Sequence, residues 1–270
     1  MQKYFFHIAY KGNRYHGWQY QPNVISVQEV FETCLSQILK TKIIVMGCGR
    51  TDAQVHATQY FFHIEVDKSW DFDLLFRLNK LLPTDVAVYE ILPVQEKQHA
   101  RYDATQRTYD YFIHTYKNPF LSEGSSLYME RDLNLTNMKK ATELFVGHKD
   151  FKAFHRGPTK YKNTLCNVSS AKLFVDKRGD RIRFQVSANR FLSSMVRTMV
   201  GTLLEIGRGN FTVAELEKCI EDRALPEFIT PAYPQGLYLS KVIYPYLDIP
   251  ARTDFSSIMQ LAEEEWLYLR

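Results

Sequence analysis

The chain has 270 residues, 45% of them hydrophobic and 24% charged, enough for one large domain or two smaller ones sharing a cleft. A net charge of +4, from 34 basic and 30 acidic side chains, permits a polyanionic partner without demanding one, and 17 tyrosines are generous for a chain that stacks on bases. Cys34, Cys48, Cys166 and Cys219 stand at no metal-ligand spacing, which argues against a zinc cluster and for free thiols in a reducing cytoplasm.

The opening MQKYFFHIAYKG is too short and too alternating for a signal peptide. Tyr4, Phe6, Ile8 and Tyr10 alternate within it and predict a strand. Ser26 and Glu29 have the spacing of a capping box, and the helix they open carries Val27, Val30, Phe31, Leu35 and Ile38 on one stripe. Next comes VMGCGRTDAQVHATQYFFHIEV, residues 45–66. Its second half puts Tyr60, Phe62, Ile64 and Val66 on one face and Gln59, Phe61, His63 and Glu65 on the other, the pattern of a half-buried strand. Its first half packs Gly47, Gly49, Arg50, Thr51, Asp52 and His56 into one loop. A loop that only turns has no need of an arginine two places from an aspartate. A helix follows over Phe72 to Leu82, stopped by Pro83, and DVAVYEIL reads as a strand.

Near residue 105 the pattern restarts. RTYDYFIHTY is a strand with Tyr109, Tyr111 and Ile113 on one face, and a helix over Asn137 to Val146 buries Met138, Ala141, Leu144 and Phe145. DRIRFQVSA is a strand with Ile182, Phe184 and Val186 inward and Arg181, Arg183 and Gln185 outward. A long helix runs from Phe191 to Ile206, with Gly207 and Gly209 able to end it. Arg197 interrupts its apolar run, which argues against a membrane span. Thr212 and Glu215 cap one more helix, and GLYLSKVIY closes as a strand. Each half thus reads strand–helix–strand–helix–strand. The expected fold is α+β, with two similar lobes, 1–104 and 105–270, each an antiparallel sheet with helices on one face and the active-site cleft between them.

Three residues carry candidate chemistry. Asp52 is either an Asx-turn or capping residue of its loop, or a carboxylate able to attack a sugar carbon or to act as a base. In the second case a guanidinium nearby would keep it ionised, and Arg50 is one such partner. Arg197 has Ser193 and Gly201 on its own helix face, small residues that leave a niche through which its guanidinium could reach a buried acid; the alternative is a surface arginine. Tyr109 is a core residue or a ring that stacks on an extracted base.

These residues sit in motifs that resemble a known family. GRTDAQVHA is similar to the GRTDAGVHA motif of the TruA family of tRNA pseudouridine synthases. AYKGNRYHGWQYQPNVISVQE, HARYDATQRTYDY, NRFLSSMVRTMVG and GLYL resemble the family's other segments in the same order, over nearly the full chain. The resemblance implies a cytoplasmic homodimer that converts uridine to pseudouridine at positions 38–40 of the tRNA anticodon stem-loop, with neither cofactor nor metal. It implies Asp52 as the catalytic aspartate, Arg50 and Arg197 as the arginines around it, Tyr109 as the tyrosine on the target base and Leu237 as an apolar pocket residue, with Thr51 and His56 of the same motif as further substrate contacts. A flipped uridine held by phosphate contacts makes Arg14, Arg181, Arg183, Lys160 and Lys162 candidates for the RNA backbone.

Three positions depart from the family pattern. Gln54 replaces a usual glycine and is strained if that position needs positive φ. Thr108 and Asp110 occupy positions often filled by arginine, and Ser193 and Ser194 replace bulkier polar residues. These leave two other readings: a relative acting on a different uridine or RNA, and a non-catalytic RNA-binding protein of the same fold. A retaining glycosidase would need a second carboxylate about 5 Å from the first, and none is marked out.

Overall fold

The computed structural model describes residues 1–130, 132–156, 161–252, 255–259, 261 and 265–269. In chain order the elements are β1 (Gln2–Tyr10), α1 (Val27–Leu39), β2 (Met46–Gly47), β3 (His56–Val66), α2 (Leu74–Leu81), β4 (Val86–Val94), β5 (Gln106–His114), β6 (Ser126–Leu127), α3 (Leu135–Glu143), β7 (Gly147–Asp150), β8 (Leu165–Asp176), β9 (Arg181–Ala188), α4 (Met195–Gly207), α5 (Val213–Asp222), β10 (Leu237–Ile243), α6 (Phe255–Met259) and β11 (Trp266–Tyr268). The fold is α+β, as expected. Among the described residues no helix is long and apolar enough to cross a membrane.

The chain divides into two compact units, 1–105 with 238–253, and 106–237 with 254–270. This differs from a single cut near residue 105, because the closing strand leaves the second half and pairs in parallel with β3, Tyr238 opposite His56 and Leu239 opposite Ala57. The sheets are therefore mixed rather than purely antiparallel; β5 and β6 also pair in parallel.

In the first unit β1 lies between β3 and β4, antiparallel to both. Ser26 caps α1 by accepting from Glu29 N at 3.2 Å. The helix lays Phe31 on Phe62 at 4.8 Å between ring centroids, and Phe62 stacks on Phe6 at 4.7 Å. β3 is not half-buried: every residue in it except Glu65 is buried. Its second face is covered by the end of β10 and the chain after it, where Phe61 meets Tyr244 edge-on at 5.4 Å and the Gln59 amide donates to Ile249 O at 3.1 Å while accepting from Val242 N at 3.0 Å. Long-range return of the chain, which alternation does not encode, makes the strand two-sided.

In the second unit β9 lies between β8 and β5, antiparallel to both, and α3 packs on β8 and α4. α5 carries a complete capping box from Thr212 and Glu215. The long helix begins at Met195 rather than Phe191, because Ser194 takes a left-handed backbone at φ 60°. β8 has no sequence forecast; the register shift between Val168 and Ser170 breaks its alternation.

Arg183, expected outward, is buried. Its Nε donates to Asp110 Oδ1 at 2.7 Å, and Gln185 Nε2 donates to the same oxygen at 3.0 Å. The rings of Phe112, Phe174 and Phe255 stand 5.3–5.7 Å from its guanidinium carbon. α6 contributes Phe255, so again a late segment covers a face that local pattern leaves open. Asp110→Ala should cost about 3–5 kcal/mol in urea denaturation, because it removes a carboxylate partner of a buried guanidinium. Asp110→Leu with Arg183→Met should recover most of that loss, since neither charge then remains in the apolar surroundings.

Four imidazoles ionise below their usual range. Burial is the first cause for His7, His63, His99 and His114; the neighbouring His99 and Lys3 add to it at His63, whose pKa falls to about 4. The unfolded chain therefore takes up protons first, near pH 6.5. Stability should be full above pH 6.5 and decline as pH falls toward 4, with roughly 3 kcal/mol lost at His63 alone. Thermal unfolding midpoints across that window check the sign.

Candidate active site

The Arg50–Asp52 loop is set by a second segment laid against it. Trp18 N donates to Thr51 O at 3.2 Å, Gln54 N to Tyr15 O at 3.0 Å, and Gly12 N to His56 Nδ1 at 3.0 Å. Two glycines allow the approach. Gly17 has φ +85°, and a Cβ on it would stand 2.3 Å from Thr51 O; a Cβ on Gly12 would stand 2.0 Å from Val55 O. Trp18 is anchored beneath by stacking on Tyr60 at 4.2 Å. Val55 N closes the turn on Asp52 O at 3.2 Å.

Within this frame the three motif residues differ in surroundings. Arg50 is exposed, Thr51 is buried and Asp52 is half-buried. The Thr51 hydroxyl shares a 2.9 Å hydrogen bond with the Tyr10 hydroxyl. His56 is buried, accepts from Gly12 N and stacks on Tyr238 at 4.5 Å. Thr51 and His56 are thus both buried in their loop. Gln54 does take positive φ, 64°, and its side chain is exposed.

In the second unit, Arg197 is half-buried. Its Nε donates to Ala232 O at 2.7 Å, and Ala232 N donates back to Arg197 O at 2.9 Å. The niche beside it admits backbone: a Cβ on Gly201 would stand 2.0 Å from Thr230 O. Tyr109 is nearly buried, with Phe191 edge-on at 5.0 Å. Leu237 is buried at the start of β10.

The RNA-backbone candidates separate by burial. Arg14 is exposed and lies 3.6 Å from Asp85, and Lys162 is exposed. Arg181 is engaged: its guanidinium donates to the Tyr116 hydroxyl at 2.7 Å and to Met259 O at 2.6 Å. Arg183 is buried on Asp110, so it is no backbone ligand. Lys160 lies outside the described residues. No group of three or more His, Cys, Asp or Glu side chains among the described residues could hold a metal.

Sequence reading passed over Tyr10, Tyr15 and Tyr60, which touch the loop from below. Tyr60 donates to Gly49 O at 2.7 Å and Tyr15 donates to Asp85 at 2.7 Å. Alternation marks Tyr10 and Tyr60 as core, and their rings are core; only the fold shows where the hydroxyls end. Gly17→Ala should destabilise the protein by roughly 2–4 kcal/mol, from left-handed strain plus collision with backbone. Gly179→Ala, also at positive φ (+78°) but with nothing within 4 Å, should cost only about 1–2 kcal/mol; chemical denaturation separates the two.

Comparison with known proteins gives the family. A family model described as tRNA pseudouridine synthase matches residues 141–245. The protein named tRNA pseudouridine synthase A from Porphyromonas gingivalis is 38% identical over 250 residues, which cover 91% of this chain and 98% of that protein. Its namesake from Bacteroides thetaiotaomicron is 40% identical over 248 residues, 91% of each chain. A more distant namesake, from a Thermoanaerobacter species, is 33% identical over 240 residues, 88% of this chain and 97% of that one. With this identity sustained along nearly its whole length, the chain belongs to the TruA family of tRNA pseudouridine synthases, a family of isomerases.

Proposed function

We propose that the protein isomerises uridine to pseudouridine in the anticodon stem-loop of tRNA, at positions 38–40, with Asp52 acting at the sugar. The observation that carries this reading is the half-buried Asp52 carboxylate on a loop held by backbone from a separate segment. A carboxylate fixed in this way is oriented before substrate arrives, so little ordering cost falls on the reaction.

The chemistry needs few parts. The C1′–N1 bond breaks, the uracil turns, C5 bonds to C1′, the C5 hydrogen leaves as a proton and N1 takes a proton up. One carbon–nitrogen bond is exchanged for one carbon–carbon bond with no net oxidation, so the scheme calls for no cofactor. Asp52 either attacks C1′ or removes a proton from C2′. A base in a stem must first leave the stack, at a cost of a few kcal/mol. Exposed Arg50 serves that step by holding a phosphate of the flipped nucleotide. Tyr109 lies against the base, Leu237 lines the pocket, and Arg197 supplies positive charge. Arg14 and Lys162 are the remaining backbone contacts, and the working form is a cytoplasmic homodimer.

Asp110 does not weaken this reading. It departs from the family pattern, but its charge is buried against Arg183 rather than displayed to RNA.

Transcripts of tRNA tritiated at uridine C5 test the proposal. Release of tritium by the wild-type protein should fall at least about 10³-fold in Asp52→Ala. Replacing uridines 38–40 with cytidine should abolish it. Folded wild-type protein that binds tRNA without release would instead be a non-catalytic RNA-binding protein, and release from other uridines would move the target. Arg50→Ala should weaken tRNA binding and lower the slope of log K against log salt by about 0.7–0.9, the loss of one phosphate contact.

A further inference from the structure

The side chain between Arg50 and Asp52 faces the opposite way from both. Arg50 is exposed and Asp52 half-buried, while Thr51 is 7% exposed and points to the core. There it meets Tyr10, 4% exposed, hydroxyl to hydroxyl at 2.9 Å. One residue before Arg50, the Gly49 carbonyl accepts from the Tyr60 hydroxyl at 2.7 Å, and Tyr60 is fully buried. The two tyrosine rings lie edge-to-face at 5.7 Å, and both touch Trp18. Two buried phenols rising from neighbouring strands therefore grip the loop on either side of Arg50.

Packing alone does not account for the hydroxyls. Phenylalanine would fill the same ring positions without two buried polar atoms that demand partners. Each has a partner in the loop that carries Asp52. A hydroxyl pair held in low dielectric is directional, and small errors in the position of a reacting group cost rate rather than affinity.

We infer that Tyr10 is a positioning residue for catalysis: through the Thr51 hydroxyl, with Tyr60 on Gly49 as its counterpart, it fixes the direction in which Asp52 is presented. This rests on the reading of Asp52 as the catalytic group. It also assigns Thr51 an anchoring role in place of a substrate contact.

Single-turnover tritium release at saturating enzyme, steady-state kcat and KM, tRNA binding and thermal unfolding would be measured on one set of variants. Tyr10→Phe is expected to lower the single-turnover rate constant and kcat 10-fold to 100-fold, with KM and tRNA affinity within threefold of wild type. Thr51→Val should reproduce that loss. Thr51→Ser, which keeps the hydroxyl, should be at least tenfold faster than Thr51→Val. Tyr10→Phe with Thr51→Val should be no slower than the worse single variant, because both act through one contact. If Tyr10→Phe does not fold, the Thr51→Val and Thr51→Ser pair decides on its own. A kcat for Tyr10→Phe within threefold of wild type, or equal rates for Thr51→Val and Thr51→Ser, would overturn the inference. Activity that survives in Asp52→Ala would overturn the reading beneath it instead, whatever the Tyr10 variants do.

Discussion

The close approach of residues 12–18 to residues 51–56 is the constraint on which the rest of the site depends. Two backbones meet there with no side chain between them at Gly12 and Gly17. Backbone pairs satisfy groups that would otherwise be buried without partners. Trp18 closes the arrangement, because burying so large a ring against Tyr60 and Phe62 ties the segment to the sheet that ends at the loop. The loop itself is short of regular structure, and its rigidity is borrowed from β1, β3 and α1.

That borrowing lets the loop hold a conformation it would not choose. Gln54 keeps a left-handed backbone that costs a residue with a Cβ roughly 1–2 kcal/mol. Its N–H is fixed on Tyr15 O, and its neighbour Val55 closes back on Asp52 O. Tyr15 is in turn held through its hydroxyl by Asp85. Strain of this kind persists only where surroundings over-determine the backbone, and it collects at functional loops. In this protein the over-determination is visible bond by bond, and it runs from Asp85 through Tyr15 to the turn beyond Asp52.

The second unit reaches rigidity by a different route. Its β5–β9 pair carries polar groups across from one another, Thr108 against Ser187 at 2.8 Å and Asp110 against Arg183 and Gln185. Such pairs are costly unless complete, and three aromatic rings stand around Arg183. Tyr109 lies between these two polar positions along the strand, on the opposite face, and the register that the polar pairs enforce also fixes Tyr109 opposite Val186. Positions that look like losses of RNA-binding charge form, in the folded chain, polar pairs between β5 and β9.

Local pattern is sufficient for much of this. Periodicity finds β1, α1, β3, β4, β5, β9 and β10, since alternation and the 3.6-residue stripe are properties of neighbouring residues. The motif around Asp52 marks the loop, because an arginine and an aspartate beside glycines are unusual for a plain turn. What the sequence cannot show is which faces later segments cover. Residues 242–249 return over β3 and help make it two-sided, and α6 brings Phe255 onto Arg183. The same holds within the motif. Residue types name Arg50, Thr51, Asp52 and His56 as equals, but tertiary contacts turn Thr51 and His56 inward to Tyr10 and Gly12, while Arg50 is exposed and Asp52 half-buried. Composition and spacing determine which groups are available; burial and hydrogen-bond partners come from chain segments tens or hundreds of residues away, and those decide which groups are exposed and which are anchored.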